Sequence, residues 1–438
     1  MKPRALLLRV VLLLVLAAGA TPALAVTADE LLTEGNTKFG NGKYSEAITD
    51  YTQAIALNPQ YADAYYNRGN VKHFKGDQDG AIADYTLAIA LNPQYSSAFY
   101  NRGVAKAAKG DQDGSIADYT LAIALDPQKF EAYFNRGVAK HAKGDQDGAI
   151  ADYTQYIAHA PNDPEAYFNR GVAKYAKGDH VGAIADYTQA IALNPQYANA
   201  YINRGIAKRT KGDQNGAIAD LTEAIVVDPK NAWVYNVRGN TKRAMGDNDG
   251  AIADYTVAIA LSPKYAAAYN GRGIAKYPKG DLDGAIADFT ESIAINPKYA
   301  EAYSNRGYVK HAKSEYEGAI IDCTQAIALD PKYAYAYNNR GNAKNSKGDH
   351  DGAIADCTQA IALDPKDAEA YDNRGNAKEA KGDLNGAVAD FTEAITLDPK
   401  LVDAYRHRAN AKHKLGDEAG AKADEEKAKS LAGSQKPK

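Results

Sequence analysis

Two cysteines, two methionines and one tryptophan in 438 residues leave little for several kinds of chemistry. Two cysteines cannot build the disulfide framework of a small secreted domain. Cys323 and Cys357 lie one 34-residue step apart, where Tyr85 and Phe289 stand in other copies, so both are expected as buried packing residues with free thiols. A formal net charge of −3 carries no basic footprint for nucleic acid. No Pro- or Ser-rich stretch and no block of like charge marks a linker. A nucleophile elbow, P-loop, dinucleotide fingerprint and His-Glu metal motif are all missing. The eight histidines are scattered: His73 and His141 share a repeat position but stand two units apart, too far for one metal. No enzyme activity, metal or cofactor is therefore expected.

What is present is repetition. Arginine recurs at Arg68, Arg102, Arg136 and onward to Arg408 at an unbroken step of 34 residues, with a lysine four places later and a proline near the end of each unit. About twelve units fit between Thr27 and the C-terminus. Such an array needs no domain boundary, because each unit contacts only its neighbours.

Within a unit, Ala64 to Lys75 reads as one helix. Gly76 supplies its left-handed end, and Asp77 caps a second helix that runs to about Leu91 before Pro93. The run "GDQDGA" is not a calcium loop: Gly80 comes too early and Ala88 occupies the place of the bidentate glutamate. Ala81, Ile82, Tyr85, Ala88 and Ile89 form one apolar stripe, which a lone hairpin cannot bury.

The 34-residue helix-turn-helix with Tyr65, Gly69, Ala81, Tyr85, Ala88 and Pro93 resembles the tetratricopeptide repeat family over residues 26–433. The resemblance implies an all-α fold, a right-handed α-solenoid superhelix of about twelve repeats, in which first helices line a concave groove that binds peptides or partner proteins. Arg68 and Lys72 depart from that pattern, standing where the family usually has leucine and tyrosine, and Gly80 stands where glutamate is common. In an antiparallel hairpin turning at Gly76, Arg68 faces Asp84, and Arg136 faces Asp152. An ion pair is expected in each complete repeat, with Lys72 snorkelling to water over its apolar stem.

Three rows define the candidate groove. Beside Tyr65 stand Tyr66, Tyr100, Phe134, Phe168 and Ile202, followed by polar residues from Asn236. One turn on come Asn70, Val104, Val138, Val172 and Ile206, then Asn240. These rows predict an apolar strip over repeats two to six and polar repeats after it; the same side chains would alternatively pack between neighbouring first helices. The third row is Asn67, Asn101, Asn135, Asn169 and Asn203, interrupted at Val237 and Gly271. Its amides can donate to and accept from an extended peptide backbone, or satisfy local backbone instead. A clamp for a C-terminal carboxylate would need basic residues on this face, and only Arg406 and His407 come near. Glu34 in repeat one and Glu425 and Glu426 in repeat twelve read as polar outer faces of terminal units.

Residues 1–25 read as a secretory signal peptide: Lys2, Arg4 and Arg9 precede an apolar run from Val10 to Ala20 and an Ala23-Leu24-Ala25 cleavage site. That run is short of the ~20 residues that span a bilayer. Cleavage takes the formal net charge from −3 to −6 and leaves no membrane span; residues 434–438 read as a disordered tail. The expectation is an exported bacterial scaffold, periplasmic or secreted, whose partner is a protein or peptide. Its alternative is a structural element of an envelope export assembly that acts through its outer surface.

Overall fold

The turn chemistry of one unit explains most of the fold. Gly76 takes a φ of +84°, open to glycine at no steric cost, and ends the first helix. Asp77 then caps the second, its Oδ1 accepting the Gly80 amide at 2.9 Å. A side chain on Gly80 would collide with that carboxylate, which accounts for glycine at this place. The same cap recurs through repeat twelve, where Asp417 accepts from Gly420.

The computed structural model describes residues 26–434. Among them it holds 24 α-helices and no strand, paired as successive hairpins. In repeat two the helices are α3 (Ala62–Phe74) and α4 (Gln78–Leu91). Residues 1–25, read as a signal, and 435–438 of the expected tail lie outside the described residues; Ser434 still belongs to the last helix, Glu418–Ser434.

The described residues form two compact units that divide between Ala207 and Lys208, inside the helix Ala198–Thr210. Within each unit first helices pack on their own second helices, and second helices on the next first helix. The core is small residues against one large ring. Tyr85 is buried, with Ala81, Ala105 and Gly69 around it, and a Cβ on Gly69 would stand 2.8 Å from the Tyr85 ring. Burying such a ring removes ~150–250 Å² from water, worth about 4–6 kcal/mol as an upper bound. Glycine opposite the ring is what makes that burial possible.

The inward-turned cations are held by one aspartate. Arg68 donates from Nε to Asp84 Oδ2 at 2.9 Å and from Nη2 to Oδ1 at 2.7 Å, and Asp84 is 2% exposed. Lys72 does not snorkel: its Nζ lies 2.8 Å from Asp84 Oδ2, so one carboxylate serves two cations. The lone pairs left by the bidentate arginine make this possible, and the flexible lysine stem reaches them. Arg136, Lys140 and Asp152 repeat the arrangement, as do Arg306, Lys310 and Asp322 in the second unit. Each arginine also reaches back: Arg68 Nη1 donates to Thr52 of the preceding repeat at 3.1 Å. Its guanidinium lies over the Tyr65 ring, 5.6 Å from the centroid. Repeat one, with Glu34 at the arginine position, keeps only Lys38 on Asp50, at 2.6 Å.

Repeat nine departs from the pattern. Ser314 stands at the left-handed position with φ +64°, and Glu315 leaves the next helix without a side-chain cap. Cys323 and Cys357 are buried, unbonded thiols, and burial pushes both up to about 12.

Candidate functional site

In the first unit the aromatic row is built on the buried tyrosines beneath it. Tyr66, Tyr100, Phe134 and Phe168 are half-buried, and each ring lies 5.6–6.0 Å from the second-helix tyrosine of its own repeat. Phe134 also meets Tyr156 at 5.1 Å and Phe168 meets Tyr197 at 4.9 Å. Ile202 does not continue the row at the surface, since it is only 2% exposed. The strip therefore runs from Tyr66 to Phe168. Val138 is its most open aliphatic member, at 44%, beside the half-buried Val104, Val172 and Ile206.

The asparagine row splits according to what lies one repeat earlier. Asn67 donates to Asn36 at 2.9 Å. Asn101 donates to the Tyr66 hydroxyl at 3.0 Å and to Asn70 at 2.8 Å, and Asn135 to the Tyr100 hydroxyl at 2.9 Å. These amides tie neighbouring first helices together. Phe134 and Phe168 carry no hydroxyl, and one repeat after them Asn169 and Asn203 have no hydrogen-bond partner among the described residues. Two half-exposed amides thus stand free beside two phenylalanine rings and two valines.

In the second unit the same two rows close on themselves. Asn270, Ser304, Asn338 and Asp372 are buried, and each accepts from the asparagine or histidine one repeat on. Asn305 donates to Asn270 at 3.1 Å, Asn339 to Ser304 at 3.1 Å and Asn373 to Asn338 at 2.9 Å. His407 Nδ1 lies 2.9 Å from Asp372. Burial alone would lower His407, but the Asp372 carboxylate outweighs it and holds the imidazole above its ordinary value. The break at Gly271 is steric: a Cβ there would stand 2.7 Å from the Tyr255 ring.

The later repeats are not uniformly polar, however. A cavity of about 250 Å³ opens among Ile274, Tyr277, Phe289, Asn305, Tyr308, Val309 and Tyr335. Its floor is the buried pair Phe289 and Val309, and Tyr308 and Tyr335 are 39% and 47% exposed. Pro278 converts the end of helix Ala266–Lys276 into a 3-10 turn, Tyr277–Lys279, from which Tyr277 packs on Tyr308 with centroids 5.1 Å apart. Continuing the Asn70 row past Asn240 to Ile274 and Tyr308 would have signalled this site. Tyr277 and Tyr335 occupy other repeat positions, so reading one row at a time misses them.

Among the described residues no group of three or more His, Cys, Asp or Glu side chains is placed to hold a metal. No helix among them is long and apolar enough to cross a membrane.

Models described as "TPR repeat" match residues 35–74, 69–110, 105–144, 139–178, 239–280, 275–314 and 379–416. Two further models described as "Tetratricopeptide repeat" match 164–197 and 334–367, and 300–333. Together these cover more than half of the chain. Curated protein sequences give no match. Among solved structures, the chain is similar to yeast Tom70, with 19% identity over 89% of this chain and 96% of that one and a TM-score of 0.43. It is similar to the APC/C hetero-tetramer Cut9-Hcn1 at 16%, over 89% and 97%, TM-score 0.49. A tetratricopeptide repeat protein from Parabacteroides merdae matches at 21%, over 57% and 98%, TM-score 0.49.

Proposed function

The chain belongs to the tetratricopeptide repeat family, and from that premise we propose that it is a protein-interaction scaffold that docks an extended segment of a partner along the first helices of repeats two to six. The observation that carries this reading is the pair of free amides at Asn169 and Asn203 beside Phe134, Phe168 and the exposed Val138. A side-chain amide can donate to one backbone group of an extended chain and accept from another, so it grips without demanding sequence. The adjoining rings supply apolar area, and half-exposed aromatic side chains that form a contiguous strip mark contact surfaces. Asn67, Asn101 and Asn135 hold the neighbouring helices in register.

Residues 1–25 are read with this as an export signal, so that the scaffold works in the periplasm or outside the cell; N-terminal sequencing of the mature protein should begin near Val26. A peptide-library selection on the full chain, repeated with Phe134→Asp and Phe168→Asp together, tests the groove. Loss of the selected peptides supports it, and retention of all of them abandons it. Retention would favour the outer surface, where Val226 and Ile321 stand 71% and 62% exposed on second helices.

A further inference from the structure

The cavity in repeats eight to ten belongs to the second unit and differs in chemistry from the peptide strip proposed for the first. Its walls are three phenol rings from three successive repeats, Tyr277 on the 3-10 turn that ends one first helix and Tyr308 and Tyr335 on the next two first helices. Tyr277 and Tyr308 meet at an interplanar angle of 63°, with their hydroxyls 3.5 Å apart, so the walls are tilted rather than parallel. A fourth first helix, Ala368–Ala380, brings the exposed Glu369 carboxylate into electrostatic range of both Tyr308 and Tyr335. Burial, then the Tyr277 hydroxyl and the charge of Glu369, hold the Tyr308 phenol well above its ordinary value, so its ring stays neutral at physiological pH.

The chain covers other tyrosines on these helices with its own cations. Arg306 lies over Tyr303 at 5.7 Å and Arg340 over Tyr337 at 5.6 Å. Among the described residues, no lysine or arginine covers Tyr277, Tyr308 or Tyr335. Electron-rich ring faces beside an unpaired carboxylate attract a cation.

We propose that this pocket is a cation cage that takes the ε-ammonium of a lysine side chain on a partner protein. Its size suits a compact head group on a slender stem. Tilted walls suit a small, roughly spherical ammonium better than a planar guanidinium, which stacks between parallel planes. The charge of Glu369, felt at both Tyr308 and Tyr335, adds to the attraction for the ammonium. The apolar floor of Phe289 and Val309 receives the methylenes, as lysine stems commonly lie along apolar surface.

The test is a titration of the full chain, followed by saturation-transfer NMR, with acetyl-Gly-Lys-Gly-amide, its Gln counterpart and tetramethylammonium. The Lys peptide should bind saturably and the Gln peptide roughly tenfold more weakly or not at all, in line with the strength of desolvated cation–π contacts. Tyr308→Ala and Tyr335→Ala should each weaken the Lys peptide by roughly three- to thirtyfold. Tyr308→Phe, which keeps the ring and spares the fold, should change it by less than about threefold. Glu369→Gln should weaken it and flatten its dependence on salt, and Phe134→Asp should leave it unchanged. Equal binding of the Lys and Gln peptides overturns the proposal, as does wild-type affinity in both alanine variants. Tetramethylammonium binding as tightly as the Lys peptide, with no effect of Glu369→Gln, also overturns it in favour of a site for free quaternary ammonium.

Discussion

The two units share one scaffold and differ in where their aromatic rings sit. In the first, the rings of the strip share one repeat position, Tyr66 to Phe168, and lie half-exposed along one row. In the second, that position holds Asn270, Ser304, Asn338 and Asp372, short polar side chains that sink out of solvent and bond to the next repeat. The rings reappear at other positions, as Tyr277, Tyr308 and Tyr335, and converge on one pocket. Beneath both faces the Arg-Asp-Lys triads are the same to within 0.1 Å in their arginine contacts, 2.7 Å for Arg136 and 2.6 Å for Arg306. The lesson is a division of labour. Stability rests on positions that hold the same Arg, Lys and Asp in every repeat after the first, which leaves a handful of first-helix positions free to become a strip in one unit and a cage in the other.

The sharpest test of that division is to remove the aspartate. Asp152→Asn and Asp322→Asn should each cost their own hairpin ~3–5 kcal/mol, because two cations lose one buried partner, and hydrogen exchange should show equal losses in the two units. Arg136→Leu should cost less than Asp152→Asn, since Lys140 still neutralises the carboxylate. A markedly unequal response between the units would break the comparison. Exchange by hairpin is the right measure, because a repeat array need not unfold in one step.

Smaller effects sharpen it. Ser314→Gly should raise local stability in repeat nine by about 1 kcal/mol, because a serine held in the left-handed region pays a steric cost that glycine escapes; a lower melting temperature would contradict that cost. Phe134→Tyr should give Asn169 the acceptor that Asn135 has in Tyr100. The expected gain is about 0.5–1.5 kcal/mol of stability together with weaker capture of any peptide selected on the strip.

The smallest effect is one of pH. His407 is raised above its ordinary value in the folded chain, Asp372 outweighing burial, with Asp403 and Glu379 adding to it. Its contribution is therefore complete below the unfolded imidazole value of about 6.5 and is lost as pH rises through the higher folded value. The melting-temperature advantage of wild type over His407→Gln should be larger at pH 5.5 than at pH 8, and an advantage that grows with pH would contradict the pairing.

Much of this architecture was legible in the residues because a strict period leaves few alternatives. The 34-residue step, Gly76 and Asp77 define a hairpin, and its antiparallel geometry alone sets Arg68 against Asp84. Lys72 was harder, because nothing in a linear pattern shows that one carboxylate can serve two cations. The burial of Ile202 depends on packing that its apolar character does not reveal. The tyrosine pocket escapes such a reading for a geometric reason: its three tyrosines occupy three different repeat positions, and the one row that meets the pocket twice, at Ile274 and Tyr308, shows only one of them.

The backward bond from each arginine to the threonine of the preceding repeat has a consequence for how such a chain can change length. For its buried aspartate a unit brings its own two cations, and that arginine asks of the preceding unit only a hydroxyl, which every copy before the last offers at the same place, as Arg102 finds in Thr86 and Arg374 in Thr358. Duplication or deletion of a whole 34-residue module would leave each Arg-Asp-Lys triad intact, while the exposed lysine–acid pairs that cross the junction, such as Lys177 on Asp147, would be redrawn. The genetic unit of variation is then also the unit of buried charge pairing.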